Sequence, residues 1–159
     1  MSEVVTEGMG SAAAGRQFLT CMLGSEEFGF DLLKVQEIRG YTAVTPIPNS
    51  PPHVRGVMNL RGAVVPVIGL REKFGMPTID YDKFTVIVVV SVGSKVIGLV
   101  VDAVSDVLSV EPSAMEPPPD LGSQLDTSYI TGLAKTAARL LILVDLDQLL
   151  GSAQPGLLP

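Results

Sequence analysis

VRGVMNLRGAVVPVIGLREKFG, residues 54–75, recurs without gaps 76 positions later as ITGLAKTAARLLILVDLDQLLG, residues 130–151. Gly56 falls on Gly132, Val64-Val65 on Leu140-Leu141, and Leu70 on Leu146. Each copy reads as a short strand, a turn, a buried apolar strand, and a helical turn stopped by Gly75 or Gly151. A self-match of this length marks one supersecondary unit written twice, and it decides the fold.

The repeat extends upstream at a second spacing, 69 residues. Leu23-Gly24-Ser25 meets Val92-Gly93-Ser94, Gly29 meets Gly98, Val35 meets Val104, and Glu37 meets Asp106. Both copies give strand, Gly-Ser turn, strand with a central glycine, then a longer strand carrying Val-x-acid. The Pro-rich insert at 112–119 absorbs the difference between the two spacings as linker. The copies therefore span about 17–75 and 86–151, with about five strands each, within one domain at 16–151. Gly, Ala, Ser and acid at 1–15 read as a flexible tail, and 152–159 as a frayed end. Short strands with frequent Gly turns predict an all-β fold of two small barrels that share an apolar interface, since closing each sheet removes the edges that invite aggregation.

Composition agrees. The 159 residues are 47% hydrophobic and 18% charged, with mean hydropathy +0.41 and no Trp, so the core is aliphatic. A net charge of −6 leaves no basic stripe to displace counterions from nucleic acid, and it disfavours anionic lipid surfaces. Cys21 stands alone, which excludes a disulfide scaffold, and it reads as a small buried hydrophobe. The amino terminus lacks a signal-peptide apolar stretch, and Met1 with tails at both ends fits a stand-alone chain. Residues 85–101 imitate a membrane span, with Lys95 as the only charge. Gly93-Ser94-Lys95 in their midst is turn chemistry, so a buried hairpin is predicted.

Reactive constellations are scarce. His53 has no Cys or His neighbour with which to share a metal, and neither a G-x-S-x-G nor a phosphate-binding G-x-x-x-x-G-K-[ST] motif occurs. Residues 8–13 match a dinucleotide fingerprint in letters only, with no strand before them. The acid pairs Asp102/Asp106 and Asp145/Asp147 are read as solvated strand faces rather than acid/base pairs. No catalysis, metal or cofactor is expected. What remains are side chains suited to protein recognition: Val35 and Glu37 with their duplicates Val104 and Asp106, and one step on Ile38 and Val107.

Six ordered blocks carry a closer likeness: LLKVQEIRGY (32–41), VTPIPNSP (44–51), VRGVMNLRGAVVPVI (54–68), GLVVDAVSDVL (98–108), YITGLA (129–134) and LLILVDLDQLL (140–150). Together they strongly resemble the chemotaxis coupling proteins of the CheW family, over about residues 17–150. The resemblance implies two intertwined five-stranded SH3-like β-barrels with strands exchanged between them and short helical turns. It implies a non-catalytic adaptor that joins the cytoplasmic tips of methyl-accepting chemoreceptors to the regulatory domain of the histidine kinase CheA, without inserting in the membrane. Such an adaptor is cytoplasmic and recruited to membrane-associated receptor arrays. Carried over residue by residue, the receptor-facing groove between barrels would use Val35, Glu37, Gly56, Arg61, Val86, Val104 and Val107; kinase-facing residues are not assigned. An apolar groove rimmed by one acid and one Arg suits a helical hairpin. Where the family writes Asp before the first helical turn, this chain has Gly69. It is read as the N-cap of a turn at 70–74, so that Gly69→Asp would be slightly stabilising, as Asp145 is for the second copy.

Overall fold

The computed structural model describes residues 5–7, 15–42, 44–118, 128–135 and 139–151. The chain divides into two compact units. Lys34–Val104 forms an inserted unit, and Met1–Leu33 with Ser105–Pro159 forms a flanking unit. The inserted unit holds β4 (Val35–Gly40), β5 (Val54–Leu60), β6 (Ala63–Gly69), β7 (Val86–Val92) and β8 (Lys95–Val101), in the sheet order β4-β7-β8-β6-β5. The flanking unit holds β1 (Val5–Glu7), β2 (Arg16–Leu23), β3 (Glu26–Asp31), most of β9 (Ala103–Val110), β10 (Met115–Glu116), β11 (Ile130–Lys135) and β12 (Leu140–Val144). Its order is β1-β9-β2-β3-β12-β11-β10, seven strands where five were expected.

The all-β class holds, and the intertwining is visible in the order of strands. The spacings of 69 and 76 residues carry β4, β5 and β6 onto β9, β11 and β12, and carry β2 and β3 onto β7 and β8. Each unit thus sets the first hairpin of one copy against the later strands of the other. Register follows the same rule. Gly29 of β3 lies opposite Leu143 of β12 in a parallel pair, and Gly98 of β8 lies opposite Val67 of β6. The irregularity at Val54/Gly56 in β5 recurs at Ile130/Gly132 in β11.

Turn chemistry builds the hairpins. Gly24 (φ 63) and Gly93 (φ 61) take the first position of two-residue turns followed by Ser, the backbone that glycine alone enters freely. The β7–β8 hairpin occupies the stretch that imitates a membrane span. Val88, Val90, Leu99 and Val101 are buried as well as the inward-facing Ile87, Val89 and Val100, so both faces of the hairpin are covered and alternation vanishes from the sequence. No helix among the described residues is long and apolar enough to cross a membrane.

The core of the inserted unit is aliphatic, as expected, whereas the flanking unit also buries Phe18, Phe28 and Phe30. In the inserted unit Met58, Leu60, Val65 and Val67 pack with the inward residues of β7 and β8. In the flanking unit Phe18, Leu108, Val110, Leu141 and Leu143 cluster. Cys21 is fully buried, and burial, with the Glu27 charge adding to it, pushes its thiol well above the ordinary range. The central glycines of β3 and β8 exist because side chains pack down on them. A Cβ at Gly98 would lie 2.9 Å from Ile87 Cγ2 and 3.4 Å from Met58 Cε, whereas one at Gly29 would lie 3.1 Å from Leu143 Cδ2.

Helix α1 (Leu70–Lys73) closes with Gly75 at φ 78, where the Gly75 N–H donates to Glu72 and the Met76 N–H to Arg71. These two hydrogen bonds satisfy carbonyls of the last turn. At the other end the two copies part company. Asp145 caps its helical turn (Asp147–Gly151), its Oδ1 accepting from the Asp147 and Gln148 N–H groups at 2.9 and 3.2 Å. Asp145 and Asp147 are therefore a cap and a helical residue, not neighbours on a strand face. Gly69 does sit at the N-cap, with φ −83, but the space a side chain would fill is taken by the Glu72 carboxylate. Glu72 in turn accepts from Thr78 Oγ1 and lies 3.7 Å from Arg55.

Two further expectations change. Within the stretch read as a flexible tail, Val5–Glu7 pairs antiparallel with β9, while the end at 152–159 lies outside the described residues. Asp102, read as a solvated acid, receives a bidentate fork from Arg71 at 2.9 and 2.7 Å, tying α1 to the end of β8.

Two substitutions test this packing by equilibrium denaturation. Gly98→Ala is expected to cost about 1–3 kcal/mol, because the stiff β-branched Ile87 cannot rotate away; Gly29→Ala, facing the ends of leucine side chains, costs less. Gly69→Asp is expected to destabilise, contrary to the capping argument alone, because it displaces Glu72 and sets two carboxylates together. In a Glu72→Ala background the same change regains a few tenths of a kcal/mol as a cap. Equal effects in both backgrounds would remove Glu72 from the account.

Candidate functional site

The N-L-R-G turn between β5 and β6 is a two-residue hairpin loop, with Leu60 opposite Ala63. Arg61 (φ 52) and Gly62 (φ 89) both take left-handed conformations, the pattern of a type I′ turn, and Asn59 Oδ1 accepts the Gly62 N–H at 3.0 Å. Asn or Gly is the ordinary occupant of the first position. An arginine there stores roughly 1 kcal/mol of backbone strain.

Strand β4 lies at the opposite end of the strand order. Its residues alternate, with Val35, Glu37 and Arg39 half-buried and Gln36, Ile38 and Gly40 exposed. The Arg61 guanidinium reaches across and donates from one nitrogen to Glu37 Oε1 at 2.8 Å, and the Arg39 guanidinium donates to Oε2 at 3.0 Å. Two ends of one sheet are thereby fastened to each other. The Arg61 guanidinium, and after it Arg39, hold the Glu37 carboxyl below the usual carboxylate range. Two cations on one anion leave this spot one charge positive in a chain whose net charge is −6.

The expected rim of one acid and one Arg is thus a bonded pair, and it has a third member. Arg39 escaped sequence reasoning although the signal was there: two residues from Glu37 on a strand, it shares that side chain's face. Its Nε is buried without a hydrogen-bond partner.

The other expected residues have more ordinary surroundings. Gly56 is buried with φ 142, and a Cβ there would overlap the backbone of Thr45. Thr45 and Val57 exchange two backbone bonds of 2.9 Å at that point. Gly132 approaches the Glu116 carbonyl in the same way. Glycine at 56 is therefore required by the close approach of two backbone segments. Val86 pairs with Gly40 and Val101 and is half-buried, as are Val104 and Val107 on β9. Val35, Glu37, Gly56, Arg61, Val86 and Val104 belong to the inserted unit, and Val107 to the flanking unit.

The acids once weighed for catalysis are committed elsewhere, Asp102 to Arg71 and Asp106 to the Val107 N–H at 2.8 Å. The His53 carbonyl accepts the Gly69 N–H at 2.8 Å. Among the described residues, no group of three His, Cys, Asp or Glu could hold a metal ion.

Comparison with known proteins agrees with this architecture. The sequence profile of the CheW-like domain matches residues 17–154. The chemotaxis protein CheW of Klebsiella aerogenes is 50% identical over 143 residues, covering 90% of this chain and 86% of that one. That of Rhizobium meliloti is 39% identical, covering 88% and 90%. The crystal structure of the scaffolding protein TtCheW from Thermoanaerobacter tengcongensis superposes with a TM-score of 0.79 at 32% identity, covering 85% of this chain and 92% of that one. A profile match across most of the chain, and relatives this similar along nearly their whole length, complete what the repeated register began: the chain belongs to the CheW-like domain family.

Proposed function

We propose that the chain is a non-catalytic chemotaxis scaffold that couples methyl-accepting chemoreceptors to the regulatory domain of the histidine kinase CheA. Its relatives are named as chemotaxis and scaffolding proteins. The observation that carries the finer reading is Arg61, an arginine kept in a left-handed turn position where Asn or Gly would fold better. Strain retained at an exposed residue supports a role in recognition. The receptor tip, a helical hairpin, meets Val35, Glu37, Gly56, Arg61, Val86, Val104 and Val107. Gly56 contributes its backbone shape, and Glu37 aims the Arg61 fork. The functional domain runs from 16 to 151 as two copies at about 17–75 and 86–151, and works in the cytoplasm at membrane-associated receptor arrays. Each pairwise contact is modest, in the micromolar range, and kinase control arises from simultaneous engagement.

Titration calorimetry with a receptor-tip fragment and, separately, the kinase regulatory domain tests this reading. Arg61→Ala and Glu37→Ala are each expected to weaken receptor binding roughly tenfold or more, keep kinase binding, and shift the melting temperature by a few degrees at most. Loss of kinase affinity with receptor affinity intact would reverse the assignment.

Arg61→Gly separates stability from recognition. Ala keeps the left-handed strain and Gly releases it, so Arg61→Gly is expected to melt above the parent while binding the receptor as poorly as Arg61→Ala. The pH dependence has a defined sign. Glu37 has a depressed pKa when folded, so its bonds contribute above the ordinary glutamate value of about 4.3 and are lost as pH falls through the folded value. Receptor affinity is therefore expected to be flat from about pH 8 to 6 in this contact.

A further inference from the structure

Among the described residues, three cover one edge of strand β9. On one side it neighbours β2, and on the other β1, with Val5 opposite Val110, Thr6 opposite Ser109 and Glu7 opposite Leu108. The spacing of 69 residues that relates the copies sets Leu108 and Ser109 on Arg39 and Gly40 of β4, and Val110 on Tyr41 just beyond it. In its own sheet β4 is terminal, and there the edge is marked by charge, since Arg39 is bonded to Glu37 and Glu37 to Arg61. On β9, Leu108 stands where β4 has Arg39, and Leu108–Val110 hold no charge; the acid that matches Glu37, Asp106, lies two residues before them. Leu108, Ser109 and Val110 are all buried, and Ser109 Oγ has no hydrogen-bond partner among the described residues. Charge on an edge strand discourages a second strand from pairing with it, and a neutral apolar edge invites one.

We infer that β1 is an edge guard: it does for the flanking unit what the Arg39–Glu37–Arg61 network does for the inserted one, and without it two copies of the chain pair through β9. A second copy is the occupant that the sequence of the edge favours. Leu-Ser-Val is nearly symmetric about Ser109, so an antiparallel pair centred there sets Leu108 of each copy against Val110 of the other. That contact is isologous and closes as a dimer. Because β1 and the second copy use the same backbone groups, they exclude one another, and the dimer is latent in the full-length chain.

Deletion of residues 1–7, and the double change Val5→Pro with Thr6→Pro in the full chain, remove β1 pairing by different means, since proline cannot donate to a ladder. Sedimentation equilibrium over a hundredfold concentration range reads the outcome. The parent is expected to stay monomeric, and both variants to approach twice the monomer mass as concentration rises. Amide exchange supplies a second reading: at Leu108–Val110 it is expected to be about tenfold faster in the dilute variants and slow again when they are concentrated. A synthetic peptide of residues 1–7, added at millimolar concentration to the deletion variant, is expected to return it to monomer. Variants that stay monomeric throughout would overturn the inference. So would dimers that leave the 108–110 amides exposed, or a parent that dimerises equally.

Discussion

Everything in this fold hangs on two parallel strand pairs, β3 with β12 and β6 with β8. The pairs β1–β9, β2–β3, β4–β7, β5–β6, β7–β8, β10–β11 and β11–β12 are antiparallel, and several are closed by two-residue turns that the local sequence specifies. A parallel pair needs a long crossover, and here each crossover carries the chain through other strands before it returns. In the flanking unit the excursion from β3 to β12 contains the whole inserted unit. The central glycines make these pairs possible, because leucine on β12, and methionine and isoleucine in the inserted unit, pack over bare backbone at Gly29 and Gly98. Identical registers at both places explain why one ancestral arrangement could be written twice and then interlaced.

The recognition surface follows from how a short sheet fastens its ends. Glu37 and Arg61 are far apart in strand order and adjacent in space, so the bond between them belongs to barrel closure as well as to the proposed contact with a partner. Exposed ion pairs add little to stability, and the two side chains are 25% and 66% exposed. Their worth lies in geometry: a carboxylate shared by two guanidiniums fixes where the forks point. Gly56 shows the complementary case, a residue near such a surface whose identity is set by the backbone passing over it.

Much of this was legible in the residues. The repeat spacings gave strand correspondence and register, Gly-Ser gave two of the hairpins, and Gly75 gave the helix stop. The parts that were not legible share a cause, since each depends on which side chain or strand, near or far along the chain, meets the residue in space. Glu72 fills the space beside Gly69 that an Asp side chain would need, and Arg71 takes both oxygens of Asp102, which removes an acid from the solvated set. Val5–Glu7 is too short to announce a strand, and its pairing needs the edge of β9 more than a propensity of its own. Arg39 was missed for a different reason: the apolar and acidic positions of β4 drew attention away from a cation on the same face.

The order of the chain has a consequence during synthesis. Residues 34–104 are contiguous, so that unit has all its strands once they have left the ribosome. The β2–β3 hairpin emerges earlier, but its partner β12 is translated about 110 residues later, a delay of roughly 5–20 seconds at ordinary elongation rates. Through that interval the nascent chain carries Phe18, Leu19, Phe28 and Phe30, all buried in the finished protein, on a hairpin without its parallel neighbour. The amino-terminal end is thus the last part of the molecule to be completed.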